Sequence, residues 1–360
     1  MPSTAAPPSP GSTPLLAVNR LHVSLPTARG PAHALRSVDF TLARGETLGI
    51  VGESGSGKSM LALALPGLLP EGAHASGSIR LGGQELLGLP ERALQGLRGR
   101  RIGMVFQEPM TALNPLHTIG HQVAEPLRLH QRLGRQAARA TAIELLEQVG
   151  IAHAAERIDA YPHQFSGGQR QRIGIAMALS AGPDLLIADE PTSALDVTVQ
   201  QQILQLLRTL AAERGMALIL ISHDLAVVAR AADRVLVMYG GAVVEAGATH
   251  DVFARPTHPY TRGLLAARPV PDAPRGTRLA TIAGQVPALA DLPTGCPFAG
   301  RCGWTIAACD TALPPALPAP SPRQRTEPEA AQKAQEAHLA RCIRMADLPH
   351  PSRATGTPTP

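Results

Sequence analysis

Lysine, aromatic residues and long apolar runs are all scarce in this chain of 360 residues. Lysine occurs at only two positions, Lys58 and Lys333, so arginine supplies nearly all of the positive charge. Aromatic residues make up 2% of the chain, which argues against a surface that stacks nucleic-acid bases despite the net charge of +5. Because no apolar run reaches the roughly 18 residues of a membrane span, the sequence predicts no transmembrane helix.

The first residues lack the charged start and apolar core of a signal peptide, so we expect the chain to stay in the cytosol. The hydrophobic content of 44% is enough for one large core and a smaller appendage. The composition predicts, in chain order, a disordered leader (1–14), a nucleotide-binding domain (15–268) with a helical subdomain (about 108–182), a proline-rich linker (269–280), a C-terminal cysteine module (281–346) and a disordered tail (347–360).

The most informative segment, residues 52–59, reads Gly-Glu-Ser-Gly-Ser-Gly-Lys-Ser, the spacing of a phosphate-binding loop. It follows an apolar run typical of a buried strand and precedes an apolar helix start. Such a loop directs backbone N–H groups at phosphates, while Lys58 faces the β- and γ-phosphates and the Ser59 hydroxyl binds Mg²⁺. The residues expected to bind the nucleotide here are Gly52, Ser54, Gly55, Gly57, Lys58 and Ser59.

Two acids, Asp189 and Glu190, end a second apolar run that begins near Asp184. A buried parallel strand would present both carboxylates at its carboxyl edge, where open α/β sheets bind ligands. We expect Asp189 to hold Mg²⁺ and Glu190 to act as the general base for the attacking water.

Residues 165–169 read Phe-Ser-Gly-Gly-Gln and precede an apolar helix. Adjacent glycines that open a helix form a second anion-binding site. Since one chain does not need two sites for a γ-phosphate, we infer that Ser166, Gly167, Gly168 and Gln169 serve a nucleotide bound by a partner.

The periodicity predicts an α/β fold. Residues 15–51 alternate between apolar and polar, which predicts an N-terminal antiparallel β layer. Later strands alternate with helices and imply a mostly parallel sheet. Helical patterns dominate between Gln107 and Asp184. The expected architecture is a P-loop NTPase core with this β layer, an inserted helical subdomain and a small C-terminal cysteine-containing module.

The ordered set of motifs resembles the ATP-binding cassette (ABC) family. Residues 165–169 are similar to its signature motif, with Phe165 in the usual leucine position. The resemblance implies that Gln107, Glu190 and His223 are catalytic, with Gln107 as the Q-loop residue that also reaches Mg²⁺ and His223 as the switch histidine. It likewise implies that Asp196, in the D-loop, contacts the nucleotide, and that ATP is that nucleotide.

Further segments resemble the oligopeptide, dipeptide and nickel importer branch of that family. The resemblance is closest to the dipeptide "D" type. The segments that carry it are residues 107–115, 191–200, 257–262, 295–298 and 301–302. This implies an ATP-hydrolysing subunit of a bacterial importer of di- or oligopeptides, peripheral on the cytoplasmic face of the inner membrane. The implied partners are a second ABC ATPase subunit in a heterodimer, two membrane permease subunits that dock near residues 108–121, and an extracytoplasmic solute-binding protein, with no nucleic acid.

Two alternative functions stay open. A soluble ABC-type ATPase that acts on DNA or ribosomes would have the same nucleotide motifs, and a redox sensor would use the cysteines.

The residue that contacts adenine is also undecided. The family usually stacks an aromatic side chain on adenine, but residues 26–36 contain none of Phe, Trp or Tyr, which leaves Arg29, His33 or a partner.

All four cysteines lie in the C-terminal module, at Cys296, Cys302, Cys309 and Cys342. Because disulfides are disfavoured in the cytosol, the thiols suit a [4Fe–4S] cluster, with Zn²⁺ or no metal as alternatives. His338, one helical turn before Cys342, is a substitute ligand. We expect this module to lie far from the phosphate loop, so that Cys302→Ser leaves ATP binding nearly unchanged.

Overall fold

The computed structural model describes residues 13–107, 112–193, 195–268, 280–320 and 338–348. The predicted leader, linker and tail lie almost entirely outside these residues. So do Lys333 and the first part of the predicted docking segment, residues 108–111.

Strands in the described residues form two sheets. Their bounds are β1 Leu16–Thr27, β2 Gly30–Leu42, β3 Thr47–Val51, β4 His74–Leu81, β5 Gln84–Glu85, β6 Ile102–Val105, β7 Leu185–Asp189, β8 Ala217–Ser222, β9 Arg234–Tyr239, β10 Ala242–Ala248, β11 Leu317–Pro318 and β12 Leu339–Ala340. The first sheet is antiparallel in the order β2-β1-β4-β5, which confirms the predicted β layer.

The second sheet has the order β11-β12-β10-β9-β3-β8-β7-β6. From β9 to β6 its strands are parallel, whereas β10, β12 and β11 pair antiparallel. The sheet is therefore mixed. The short strands β11 and β12 come from the C-terminal segment, which extends the edge of the core sheet.

Helices cover the faces and edges of these sheets. Their bounds are α1 Lys58–Ala64, α2 Glu91–Gln95, α3 Ile119–His130, α4 Arg135–Gln148, α5 Ala154–Arg157, α6 Gly167–Leu179, α7 Val197–Arg214, α8 Leu225–Ala231, α9 Thr249–Ala254 and α10 Pro259–Ala266. Helices α3 to α6 lie between β6 and β7 in the chain, where the sequence predicted inserted helices. None of the helices in the described part of the chain is both long and apolar enough to cross a bilayer.

The central strands are buried on both faces, and their side chains alternate between two cores. Leu186 of β7 and Leu218 of β8 belong to the core shared with the inserted helices. Their neighbours Ile187 and Ile219 belong to the core under the antiparallel layer. A fully buried side chain of this size contributes roughly 1.5–3 kcal/mol, so these two layers fix the carboxyl edge on which the polar residues lie.

Candidate functional site

The phosphate loop connects the fully buried strand β3 to helix α1. Gly55 and Gly57 have φ angles of +78° and +102°, a left-handed conformation that glycine adopts without strain. A Cβ atom on Gly57 would lie 3.1 Å from the Ala34 carbonyl oxygen, so the loop also packs closely on β2. The glycines therefore give the loop its turn and its position, as the motif predicted.

Lys58 is 5% exposed and held within the loop. Its Nζ donates to the Gly52 and Glu53 carbonyl oxygens at 2.8 and 3.0 Å. An ammonium group has three donors, so one is left for a phosphate oxygen. Burial lowers the pKa of Lys58, while the nearby carboxylates of Glu190 and Asp189 act in the opposite direction and favour the charged form.

Asp189 ends β7 beside the phosphate loop and is 5% exposed. The Ser59 hydroxyl hydrogen-bonds to its carboxylate, whereas its Oδ1 has no hydrogen-bond partner among the described residues. Burial raises the pKa of Asp189, and the neighbouring Glu190 adds to this. A buried carboxylate oxygen without a partner, next to a serine hydroxyl, is a donor set that suits Mg²⁺. Asp189 and Ser59 thus fit the predicted metal site.

Glu190 is joined to the two other residues predicted to be catalytic. Its Oε2 accepts from the Gln107 Nε2 at 3.1 Å and lies 3.2 Å from the His223 Nδ1. The backbone of Glu190 has a φ of +46°, unusual for a residue with a side chain. Its N–H donates to the Ile221 carbonyl at 3.0 Å, which stabilises this turn. The fold therefore brings Gln107, Glu190 and His223 together from three separate segments.

The signature segment has its own local architecture. Ser166 caps α6: its Oγ accepts from the Gln169 N–H at 3.3 Å, and the Gln169 Oε1 accepts from the Ser166 N–H at 3.1 Å. Gly167 and Gly168 form the first turn, where a Cβ on Gly168 would lie 2.9 Å from the Val199 Cγ1. These four residues are predicted to contact a partner's nucleotide.

Asp196, the predicted D-loop contact, caps α7 by accepting from the Val199 N–H at 3.0 Å. In the same segment the Ser193 hydroxyl donates to the Gln107 carbonyl at 2.8 Å, which joins the D-loop to the Q-loop. Ala194 lies outside the described residues.

The two candidates for the adenine contact differ in their surroundings. Arg29 pairs with Asp291 at 2.7 Å, so its guanidinium already has a carboxylate partner. His33 is exposed on β2, next to Ala34, whose carbonyl lies against Gly57 of the phosphate loop. Of the two, His33 is the candidate with an aromatic ring, and it is one residue from that backbone contact.

Comparison with known proteins shows what this site is related to. The chain is 51% identical over 306 residues to "Oligopeptide transport ATP-binding protein OppD" of Mycobacterium tuberculosis, which covers 85% of this chain and 50% of that protein. It is 48% identical over 302 residues to "Dipeptide transport ATP-binding protein DppD" of Bacillus subtilis, covering 83% of this chain and 90% of that protein. The chain belongs to the ABC transporter family. The chain spans about half the length of the mycobacterial relative.

Family profiles and a solved structure agree with this assignment to the ABC family. The "ABC transporter" profile matches residues 35–193 and the "Oligopeptide/dipeptide transporter, C-terminal region" profile matches residues 244–309. The dimeric cassette MJ0796, in a post-hydrolysis state bound to ADP and Pi, has a TM-score of 0.59 and 29% identity, and covers 65% of this chain and 98% of its own. The core is therefore an ABC ATPase fold.

The four cysteines of this ABC protein converge on one small cavity of about 20 Å³, which is also lined by Phe298 and Trp304. None of them forms a disulfide. Burial raises the pKa of the Cys296 thiol to about 11, with the neighbouring thiols adding to the effect. In the described residues no group of three or more His, Cys, Asp and Glu side chains is positioned to hold a metal ion. All four cysteines line this cavity, but the C-terminal cysteine module and the iron–sulfur cluster both stay predictions.

His338 does not face the cysteines as a substitute ligand. Its Nε2 lies 2.6 Å from the Oε1 of Glu245, a carboxylate on β10 that is 1% exposed. Glu245 also accepts from the N–H groups of Thr257 and His258, at 2.7 and 2.9 Å. His338 therefore belongs to the contact that attaches β12 to the core.

The prediction that the cysteine segment lies far from the phosphate loop is wrong. Arg301, the residue before Cys302, donates to the carboxylate of Glu53, the second residue of the loop, at 2.6 Å. The Tyr260 hydroxyl accepts from the Glu53 N–H at 2.8 Å. Sequence analysis missed both contacts, because Arg301 and Tyr260 lie far from the loop in the chain and no local motif joins them to it.

Proposed function

We propose that this chain binds and hydrolyses ATP to power a bacterial importer of di- or oligopeptides. The observation that carries the proposal is the convergence of Lys58, Asp189, Glu190, Gln107 and His223 on one edge of the sheet. The relatives named above are an oligopeptide and a dipeptide transport ATP-binding protein, which supports the class of solute.

The residues of the site have complementary roles in hydrolysis. Lys58 neutralises charge on the β- and γ-phosphates, and the loop N–H groups orient them. Ser59, Asp189 and Gln107 would hold Mg²⁺, which neutralises the charge that develops on the phosphates. Glu190 accepts the proton of the attacking water.

Gln107 and His223 both contact the same Glu190 oxygen, at 3.1 and 3.2 Å. The amide N–H stabilises the ionised carboxylate and orients it. His223 is two-thirds exposed, so its side chain can turn toward a γ-phosphate after the nucleotide binds.

A complete site needs a second cassette, because Ser166 to Gln169 would serve a nucleotide bound by the other subunit. We propose a heterodimer with another ABC ATPase subunit, bound to two membrane permease subunits and supplied by an extracytoplasmic solute-binding protein. The dimeric structure of MJ0796 supports the two-cassette arrangement. The subunit would then lie on the cytoplasmic face of the inner membrane as a peripheral protein, with no nucleic-acid partner.

Glu190→Gln tests the catalytic assignment in the assembled transporter. Glutamine keeps the shape of the side chain but cannot accept the proton, so ATP binding is retained while turnover falls at least about 100-fold. ATP affinity and phosphate release are measured on the same preparation. Turnover at the wild-type rate would contradict the role of Glu190.

We further propose that the four cysteines bind a [4Fe–4S] cluster. Their convergence on one cavity supports the proposal, since such clusters take four thiolates. Because the cavity is close to the size that holds one water molecule, the thiols would have to move outward around a cluster. Metal binding would also displace the thiol protons that burial stabilises. Iron and sulfide in anaerobically purified protein would identify the cluster, and zinc would identify the smaller alternative.

A further inference from the structure

The pair between Arg301 and Glu53 has no role in the mechanism above. Arg301 ends the 3₁₀ turn Ala299–Arg301, directly before Cys302. Its Nη1 donates to the Glu53 Oε2 at 2.6 Å and its Nη2 to the Glu53 Oε1 at 3.3 Å. A two-point pair of this kind fixes orientation as well as distance. The C-terminal segment therefore restrains the second residue of the phosphate loop.

Arg301 is held firmly on its own side of the pair. Its Nε donates to the Ala283 carbonyl at 2.7 Å, and its Nη2 donates to the Ile282 and Gly284 carbonyls at 3.2 Å each. Nη1 also reaches the Tyr239 hydroxyl, at 3.2 Å. The side chain is only 7% exposed. A planar guanidinium that is already ordered loses little further freedom when it holds a carboxylate.

Glu53 transmits this restraint to the nucleotide site through its backbone. Its N–H donates to the hydroxyl of Tyr260, which is fully buried. Its carbonyl oxygen accepts from the Lys58 Nζ at 3.0 Å. One residue thus connects Arg301 to the ammonium group that faces the phosphates, and a displacement of Glu53 would displace the carbonyl that orients Lys58.

We propose that Arg301 is a positioning residue of the nucleotide site, which makes the C-terminal segment a determinant of ATP affinity. The inference rests on the proposed function in taking ATP as the ligand. The loop holds the phosphates both before and during hydrolysis, so a looser loop weakens ground state and transition state alike. A change of that kind raises KM and leaves kcat nearly unchanged.

Arg301→Gln and Glu53→Gln, alone and combined, test the proposal in the full-length chain. Each single variant is expected to raise the Kd for ATP about tenfold, within the range for a charge-assisted hydrogen bond. The double variant should be no weaker than either single variant, because both remove the same pair. Arg301→Lys should restore part of the affinity, since it keeps the charge but loses the two-point geometry.

Arg344→Gln is the matched control. Arg344 lies in the same segment and pairs with Asp347 at 2.7 Å, and its donors go to that carboxylate and to the Trp304 carbonyl. Its replacement should leave the Kd for ATP unchanged. In the assembled transporter, Arg301→Gln should raise KM about tenfold while kcat stays within about twofold.

The outcomes separate the inference from the proposed function. If the wild-type chain binds ATP and Lys58→Ala does not, while Arg301→Gln binds as the wild type does, the positioning role is overturned and the ATPase assignment stands. Should Arg301→Gln fail to fold, Glu53→Gln still decides the matter, because it leaves the C-terminal segment intact: unchanged affinity rejects the inference. A wild-type chain that binds no ATP rejects both.

Discussion

His258 gives the fold a defined sensitivity to acid. This residue is 1% exposed and caps α10, where its Nδ1 accepts from the Tyr260 N–H at 3.1 Å. Burial lowers the pKa of His258 from 6.5 to about 4, partly offset by the nearby Glu245. The folded chain thus keeps a neutral ring at a pH where the unfolded chain is protonated. The contribution of the neutral His258 ring to the free energy of unfolding is therefore fully present above about pH 6.5. It is lost as the pH falls toward 4.

The size of the effect follows from the two pKa values. The pKa of His258 is 6.5 in the unfolded chain and about 4 in the folded chain. At about pH 5 the unfolded chain is therefore protonated at this residue and the folded chain is not, which lowers the free energy of unfolding by about 2 kcal/mol relative to about pH 7. His258→Asn should remove this loss. Asparagine is a favoured N-cap whose side-chain oxygen can accept from the Tyr260 N–H, so the variant should lose little stability at about pH 7.

Urea denaturation of the wild type and of His258→Asn, at about pH 7 and about pH 5, measures how much the free energy of unfolding of each protein changes between the two pH values. Glu245 and His338, which lie close to this part of the fold, are present in both proteins and are therefore common to the comparison. His250→Asn is the control, because it replaces a histidine whose side chain is 91% exposed rather than buried. A His258→Asn variant that loses as much stability as the wild type between the two pH values would refute the reasoning.

Two further predictions concern the partner-facing and thiol sites. Ser166→Arg should leave the ATP affinity of the isolated chain within about twofold of the wild type, because the hydroxyl of Ser166 is used here to cap its own helix. In the assembled complex, hydrolysis at the partner's phosphate loop should be lost. A fall in isolated-chain affinity as large as in Lys58→Ala would contradict a two-chain site. Cys302→Ser should abolish the iron content measured by elemental analysis. Wild-type protein that contains neither iron nor zinc and has four reactive thiols would show that the cysteines bind no metal.

The positions of the candidate nucleotide-binding residues could be predicted because short motifs determine most of them. A phosphate loop must have its glycines and its lysine in one segment, and strand β7 must end in its acids, so local sequence fixes Lys58, Asp189 and Glu190. The order of the parallel strands then brings Gln107 and His223 to the same edge. The extension of the sheet by β11 and β12 was not predicted, because these strands have two residues each and no period can be read from them.

The proximity of the C-terminal segment to the phosphate loop follows from strand order rather than from any motif. β9 is the parallel neighbour of β3, so both strands end at the edge where the loop begins. The turn after β9 therefore lies on the loop, and the Gly241 N–H donates to the Ser56 carbonyl at 3.0 Å. A Cβ on Gly240 would lie 2.6 Å from the Pro297 Cβ, so the segment beside Cys296 packs directly on that turn. Any chain segment that covers this turn is brought within reach of Glu53, and in this protein that segment holds Arg301.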